Sequence, residues 1–208
     1  MPSVTIQGAG SVYPTLTAGT NAAVARQAGA IISAAVGNGA APVSVTGGAN
    51  APVPPSSPAV LVVTTTSQLN LAIPAAYPYI VVADNPAPMT LSGGGAANQT
   101  IVLGTGIVQL NTGGGTGTIV GGDGDKFINL GATAGFAVYT GDGHDIIDLS
   151  QSLAGGRSTV EAGAGTNAYD NGTIQPGNTV KLGAGAAQVR STGSDSITAG
   201  AGSATIQV

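Results

Sequence analysis

The chain has 208 residues, among them 35 glycines and 12 prolines, with no cysteine, no tryptophan and only 7% charged residues. Lacking cysteine, it has no disulfide framework and no thiolate metal site. A net charge of −4 with five scattered basic residues (Arg26, Lys126, Arg157, Lys181 and Arg190) argues against a nucleic-acid partner. Disordered chains combine low hydrophobicity with high net charge, so 42% hydrophobic residues here predict an ordered structure built from small side chains.

Residues 1–58 read as an N-terminal arm. The opening, MPSVTIQGAG, lacks the basic and apolar regions of a signal peptide, so either a mature form or export without a cleaved N-terminal signal is expected. Val4, Thr5, Ile6 and Gln7 form a short strand closed by Gly8 and Gly10. Thr20 or Asn21 caps a helix reaching about Val36, with Gly37 and Gly39 as terminators. Its apolar stripe, Val24, Ala28, Ile31, Ile32, Ala35 and Val36, is thin and alanine-rich. Two roles are open to this helix, a cap over one end of the following domain or a partner-binding arm. The proline-rich stretch 42–58 reads as a stiff strap.

Residues 59–208 are assigned to a β-solenoid. The segments 60–66 and 79–82 are β-branched or aromatic apart from Leu61 and supply its first, irregular coils. From Gly93 onward, twelve glycine-marked segments recur at steps of 7 to 14 residues, starting at Gly93, Gly104, Gly113, Gly122, Gly131, Gly141, Gly155, Gly163, Gly172, Gly183, Gly193 and Gly200. Such a period fits a half-coil, with a glycine corner, a short strand and another corner. Six positions after the first glycine stands a large apolar residue in seven segments: Leu110, Ile119, Ile128, Ile147, Tyr169, Val189 and Ile206. These are expected to point inward and stack between coils of roughly 20 residues. The fold class is therefore mostly β, a parallel β-roll or β-helix with a short strand-helix appendage. No run is long and apolar enough for a transmembrane helix, since 71–83 is broken by Pro74 and Pro78.

Chemistry concentrates in GGDGDKFINL (121–130) and TGDGHDIIDL (140–149). Here the chain resembles the hemolysin-type calcium-binding repeats of RTX proteins, with the pattern G-G-x-G-x-D-x-U-x. That resemblance implies Ca²⁺ clamped between acidic corners of adjacent coils, with Asp123, Asp125, Asp142 and Asp145 as candidate ligands and Ca²⁺ as the cofactor. The second copy follows the pattern through Gly141, Asp142, Gly143, His144, Asp145, Ile146 and Ile147. The first carries Lys126 where the family has aspartate, and later corners such as GAGTNAY, GAGAAQV and GAGSATI have lost the acid. Asp-Gly pairs also make tight turns without any metal. The fold is accordingly expected to be independent of calcium.

An enzymatic role finds little support. His144 is the sole histidine and sits in an Asp-Gly corner, and the long basic and aromatic loops with which solenoid enzymes grip polysaccharides are missing. The expectation is a non-enzymatic, self-assembling extracellular structural protein, such as a matrix filament in a biofilm, a surface fibre or a surface layer. Its partner is itself, head to tail, with cell-surface or matrix contacts. The strand Ala204, Thr205, Ile206, Gln207, Val208 would leave an open edge, which the similar strand holding Val4 and Ile6 of another copy could extend. Assembly is thus assigned to Val4, Ile6, Ile206 and Val208. The alternative is an RTX-like calcium-binding module of a secreted adhesin or toxin.

Overall fold

The computed structural model describes residues 3–8, 11–17, 22–54, 56–131, 135–150, 156–172 and 177–208, with side chains from residue 22 onward. The helix cap expected at Thr20 or Asn21 and the repeat start at Gly155 lie outside the described residues.

An antiparallel hairpin of β1 (Ser3–Gly8) and β2 (Ser11–Thr17) comes first. Helix α1 (Ala22–Gly37) follows, close to the expected span. All later strands are parallel and, from β4 onward, alternate between two sheets, which makes a solenoid of about eight coils. The nine-stranded sheet takes β3 (Ala41–Val45), β4 (Ala59–Val63), β6 (Tyr79–Val82), β8 (Gln99–Leu103), β10 (Thr116–Gly121), β12 (Gly135–Tyr139), β14 (Thr159–Ala162), β16 (Thr179–Leu182) and β18 (Ser196–Ala199). Facing it, the eight-stranded sheet takes β5 (Leu69–Ile73), β7 (Met89–Gly93), β9 (Val108–Thr112), β11 (Lys126–Asn129), β13 (Gly143–Asp148), β15 (Gly165–Asn171), β17 (Ala187–Ser191) and β19 (Ala204–Gln207).

The coil begins earlier than residue 59. Within the expected strap, β3 pairs in register with β4, and Asn50 bridges to Ala72 beside β5. The prolines do not prevent this: Pro42 needs no ladder donor because β3 is an edge strand.

Two aliphatic ladders fill the interior. One runs Val43, Leu61, Ile80, Ile101, Ile119, Val138, Val160, Val180 and Ile197 through the nine-stranded sheet. The other runs Leu71, Leu91, Leu110, Ile128, Ile147, Tyr169, Val189 and Ile206, with members 17 to 22 residues apart. Six of the seven expected inward residues are 3% exposed or less, Leu110, Ile119, Ile128, Ile147, Tyr169 and Val189. Ile206 shares their register but is 47% exposed, because its strand is the last of the stack. Ile119 belongs to the opposite sheet from the other six. Each fully buried aliphatic contributes about 1.5–3 kcal/mol, so the ladders are the main source of stability.

The helix does not cap an end of the stack. It lies along the outer face of the nine-stranded sheet, where Ala25, Ala28, Ile32 and Val36 pack on Val60, Val62, Val81, Val102 and Val120. That contact explains why β4 and β8 are buried at every position, whereas β5 alternates between buried and exposed. The small alanine faces let the helix approach the sheet closely.

Glycines at the corners are required by contact between coils. Gly185 has φ +131°, and a Cβ there would lie 2.0 Å from the carbonyl oxygen of Gly165 one coil below. No side chain fits that gap.

Candidate functional site

The chain leaves the nine-stranded sheet at one row of stacked corners, among them 122–125 and 140–142. Backbone N–H groups at a corner drop out of the strand ladder and need other acceptors. Aspartates supply them across coils. Asp84 Oδ1 accepts from Thr105 N–H (2.7 Å), Asp123 Oδ1 from Asp142 N–H (3.0 Å), and Asp142 Oδ1 from Ala164 N–H (2.9 Å). Asp125 Oδ1 accepts from the exposed His144 N–H at 3.0 Å. Three of the four candidate calcium ligands, Asp123, Asp125 and Asp142, therefore tie one coil to the next.

The fourth lies inside. Asp145 is fully buried, in register with Asn167 on the coil above and hydrogen-bonded to Lys126, one position before the pair Phe127 and Ile146, on the coil below. The same inward column holds Leu69, Met89 and Val108 before this trio, then Ala187 and Ala204. A polar trio thus interrupts an apolar column. Asp145 Oδ1 accepts from the Lys126 backbone N–H at 3.0 Å.

Lys126 is 0% exposed, and its side chain turns back into the corner. Its ammonium donates to the carbonyl oxygens of Gly106 (2.9 Å), Gly124 (2.9 Å) and Asp123 (3.1 Å). An ammonium has three donors and no acceptor, and here all three are used. Burial pushes the Lys126 ammonium down to about 8, against the opposing pull of Asp145, Asp125, Asp123 and Asp84. Burial likewise pushes the Asp145 carboxyl up to about 6, with the Thr140 hydroxyl, the Lys126 N–H and the Lys126 charge acting in the other direction.

Three oxygens that a calcium ion could use are occupied in this fold by the Lys126 ammonium. Calcium takes six to eight oxygen ligands. The converging carbonyls here already surround an ammonium, and the rim carboxylates accept backbone N–H groups. Among the described residues, no three carboxylate or imidazole groups gather as a metal-holding group.

A second polar centre, with no glycine-aspartate motif to announce it, occupies the opposite row of corners. Asp195 Oδ1 accepts from the backbone N–H (2.8 Å) and Nδ2 (3.0 Å) of Asn178. Its Oδ2 accepts from Ser191 Oγ (2.8 Å), Asn171 Nδ2 (2.9 Å) and the Tyr169 hydroxyl (3.0 Å). Asn178 Oδ1 in turn accepts from Ser158 N–H (2.9 Å), and Ser158 Oγ from Phe136 N–H (3.3 Å), so the chain of bonds descends coil by coil. Burial opposes charge on Asp195, but the bonds from Asn171, Asn178, Ser191 and Tyr169 outweigh it and hold the carboxyl below its ordinary range. Burial, reinforced by Asp195, raises the Tyr169 phenol above its usual value.

The residues assigned to assembly are far apart in the fold's plan. Val4 and Ile6 stand on β1, which is engaged antiparallel with β2 and runs beside α1. Ile206 stands on β19, and the neighbouring Val208 is 96% exposed. Sequence reasoning overlooked β3, the strand that lies at the other end of the stack. Its signal was weak: Pro42, Val43, Ser44 and Val45 alternate, but inside a proline-rich stretch.

No protein-family model, curated protein or solved structure matches the chain, so the RTX resemblance rests on the two motifs alone.

Proposed function

We propose that the chain is a non-enzymatic structural protein that assembles head to tail outside the cell, as a filament, fibre or layer. One observation carries the reading: both ends of the stack present parallel strand edges of the same polarity. Among the described residues β3 pairs only with β4, β18 only with β16, and β19 only with β17. A second copy placed on the axis would continue both sheets, with its β3 beside β18 and its segment at Asn50 beside β19. In that arrangement Ile197 stacks on Val43 of the next copy and extends the ladder. The contact joins unlike surfaces and so propagates rather than closes. The hairpin β1–β2 adds a strand only if β1 leaves β2, whereas β3 needs no such exchange. The strands β3, β18 and β19 carry no charged side chain, one of the devices by which edges avoid pairing, while Pro42 of β3 offers no donor at that edge and leaves Ser44 as the donor.

Light scattering on the purified chain tests this. Wild type should form large species whose size grows with concentration. Ile197→Lys and Val43→Lys should each leave a folded monomer by circular dichroism. A strictly monomeric wild type at high concentration would remove the reading.

A further inference from the structure

We propose that Lys126 is a built-in cation: its ammonium stands in the place where a divalent ion would sit between these corners, and it makes the coil independent of metal. Three carbonyl oxygens converge on one point, those of Gly106, Asp123 and Gly124, and they come from two successive coils. A positive charge offsets the mutual repulsion of converging carbonyls, and hard oxygen donors in such a cluster suit calcium. A carboxylate lies next to them. Asp145 is fully buried, and no hydrogen bond of ordinary length reaches its Oδ2, although the Thr140 hydroxyl stabilises it from farther away. Lys126 on the adjacent coil, bonded to Asp145 through its backbone N–H, brings the opposite charge into the same interior.

The arrangement also separates this corner from those that follow. In the same inward column Asp145 is succeeded by Asn167, then by Ala187 and Ala204. Asn167 Nδ2 donates to the Gly163 carbonyl at 2.9 Å, turning back into its own corner as Lys126 does. A neutral amide there asks for no counter-ion, and alanine asks for nothing. Cation, anion, amide and methyl thus succeed one another up the column, and only the lysine coil collects carbonyls from two turns. The inference concerns this interior position and stands whether or not the chain assembles.

Replacing the lysine should convert the position into a metal site. Lys126→Asp removes the tethered cation and adds a carboxylate; Lys126→Ala removes it and leaves space. Thermal unfolding is followed in chelator and in millimolar CaCl₂, with MgCl₂ as the control for ionic strength. The wild-type midpoint should not move with calcium. Both variants should melt lower in chelator, and calcium should raise Lys126→Asp by roughly 5 °C or more, with Lys126→Ala rising less. An equal rise in wild type would mean that the lysine is not holding the place of the ion, and a folded Lys126→Asp that ignores calcium would overturn the site itself.

A variant that fails to fold leaves the wild type to decide. The chain has two lysines, Lys126 and Lys181, and the Lys181 side chain is 60% exposed. Under an amine-reactive reagent, peptide mass spectrometry should show Lys181 modified promptly and Lys126 only after unfolding. Equal labelling rates in the native protein would contradict a sequestered ammonium.

Discussion

Lys126 and Asp145 meet across adjacent coils, with the backbone N–H of the lysine 3.0 Å from the aspartate Oδ1 and both side chains out of contact with solvent. Nineteen residues of sequence separate them, one turn of the solenoid. Each group is costly to bury alone, because an isolated charge in a low-dielectric interior must be paired and hydrogen-bonded.

The first expectation follows from that pairing. Lys126→Met keeps the length of the side chain but leaves three carbonyls and the Asp145 carboxylate without a cation. Removing one partner of a buried pair costs about 3–5 kcal/mol. Chemical denaturation should show a loss in that range, and a loss below about 1 kcal/mol would mean the pair is not essential to the fold.

The second concerns acidity. Asp145 has its carboxyl raised to about 6 in the fold from 3.8, so between those values the folded state holds a proton that the unfolded state has lost. Stability should therefore rise as pH falls through about 6 and level off near 3.8. Asp145→Asn should flatten this part of the pH profile of the melting midpoint. A wild-type midpoint that falls steadily from pH 7 to 5 would contradict the assignment.

Asp195 behaves in the opposite sense. Its carboxyl is held below 3.8 by donated hydrogen bonds, so its contribution is present above that pH and is lost as pH falls further. Five donors from Tyr169, Asn171, Asn178 and Ser191 converge on it. Asp195→Ala leaves several of them buried without an acceptor, each at about 1–3 kcal/mol before relaxation. The variant should be clearly destabilised at neutral pH and should lose the wild type's steep decline in strong acid, both measured by fluorescence-detected denaturation.

Glycine replacements should divide sharply by position. Gly185→Ala puts a methyl group against the Gly165 carbonyl in a backbone conformation that side chains avoid, and should cost more than about 2 kcal/mol. Gly47→Ala meets nothing within 4 Å and should be neutral to about 0.5 kcal/mol. Similar losses at both positions would show that corner packing between coils is not what selects glycine.

Much of the fold was legible in the sequence because its determinants are local. Glycine marks corners wherever coils touch, and an aliphatic six residues later lands in the interior, as Leu110, Ile128 and Ile147 do. The alternation of β5 and the unbroken apolar run of β4 even distinguish a solvent-facing sheet from a covered one. The placement of α1 was not legible, since a thin alanine stripe fits a sheet face as well as an open end. The motif comparison singled out Asp123, Asp125, Asp142 and Asp145, and in the fold three of them bond across coils at the rim while Asp145 lies inside. Their roles depend on neighbours one coil away, and the single departure, Lys126, inverts the charge logic of the corner. The Asp195 centre had no short motif, because Tyr169, Asn171 and Asn178 reach it from 17 to 26 residues away.

The stacked edges give the most direct test. Negative-stain electron microscopy of the purified chain should show unbranched filaments with an axial repeat of roughly 40–45 Å, nine strands at about 4.8 Å each. Ile197→Lys should abolish them. Dispersed single particles of wild type at high concentration, or filaments indifferent to Ile197→Lys, would contradict axial stacking through β18 and β3.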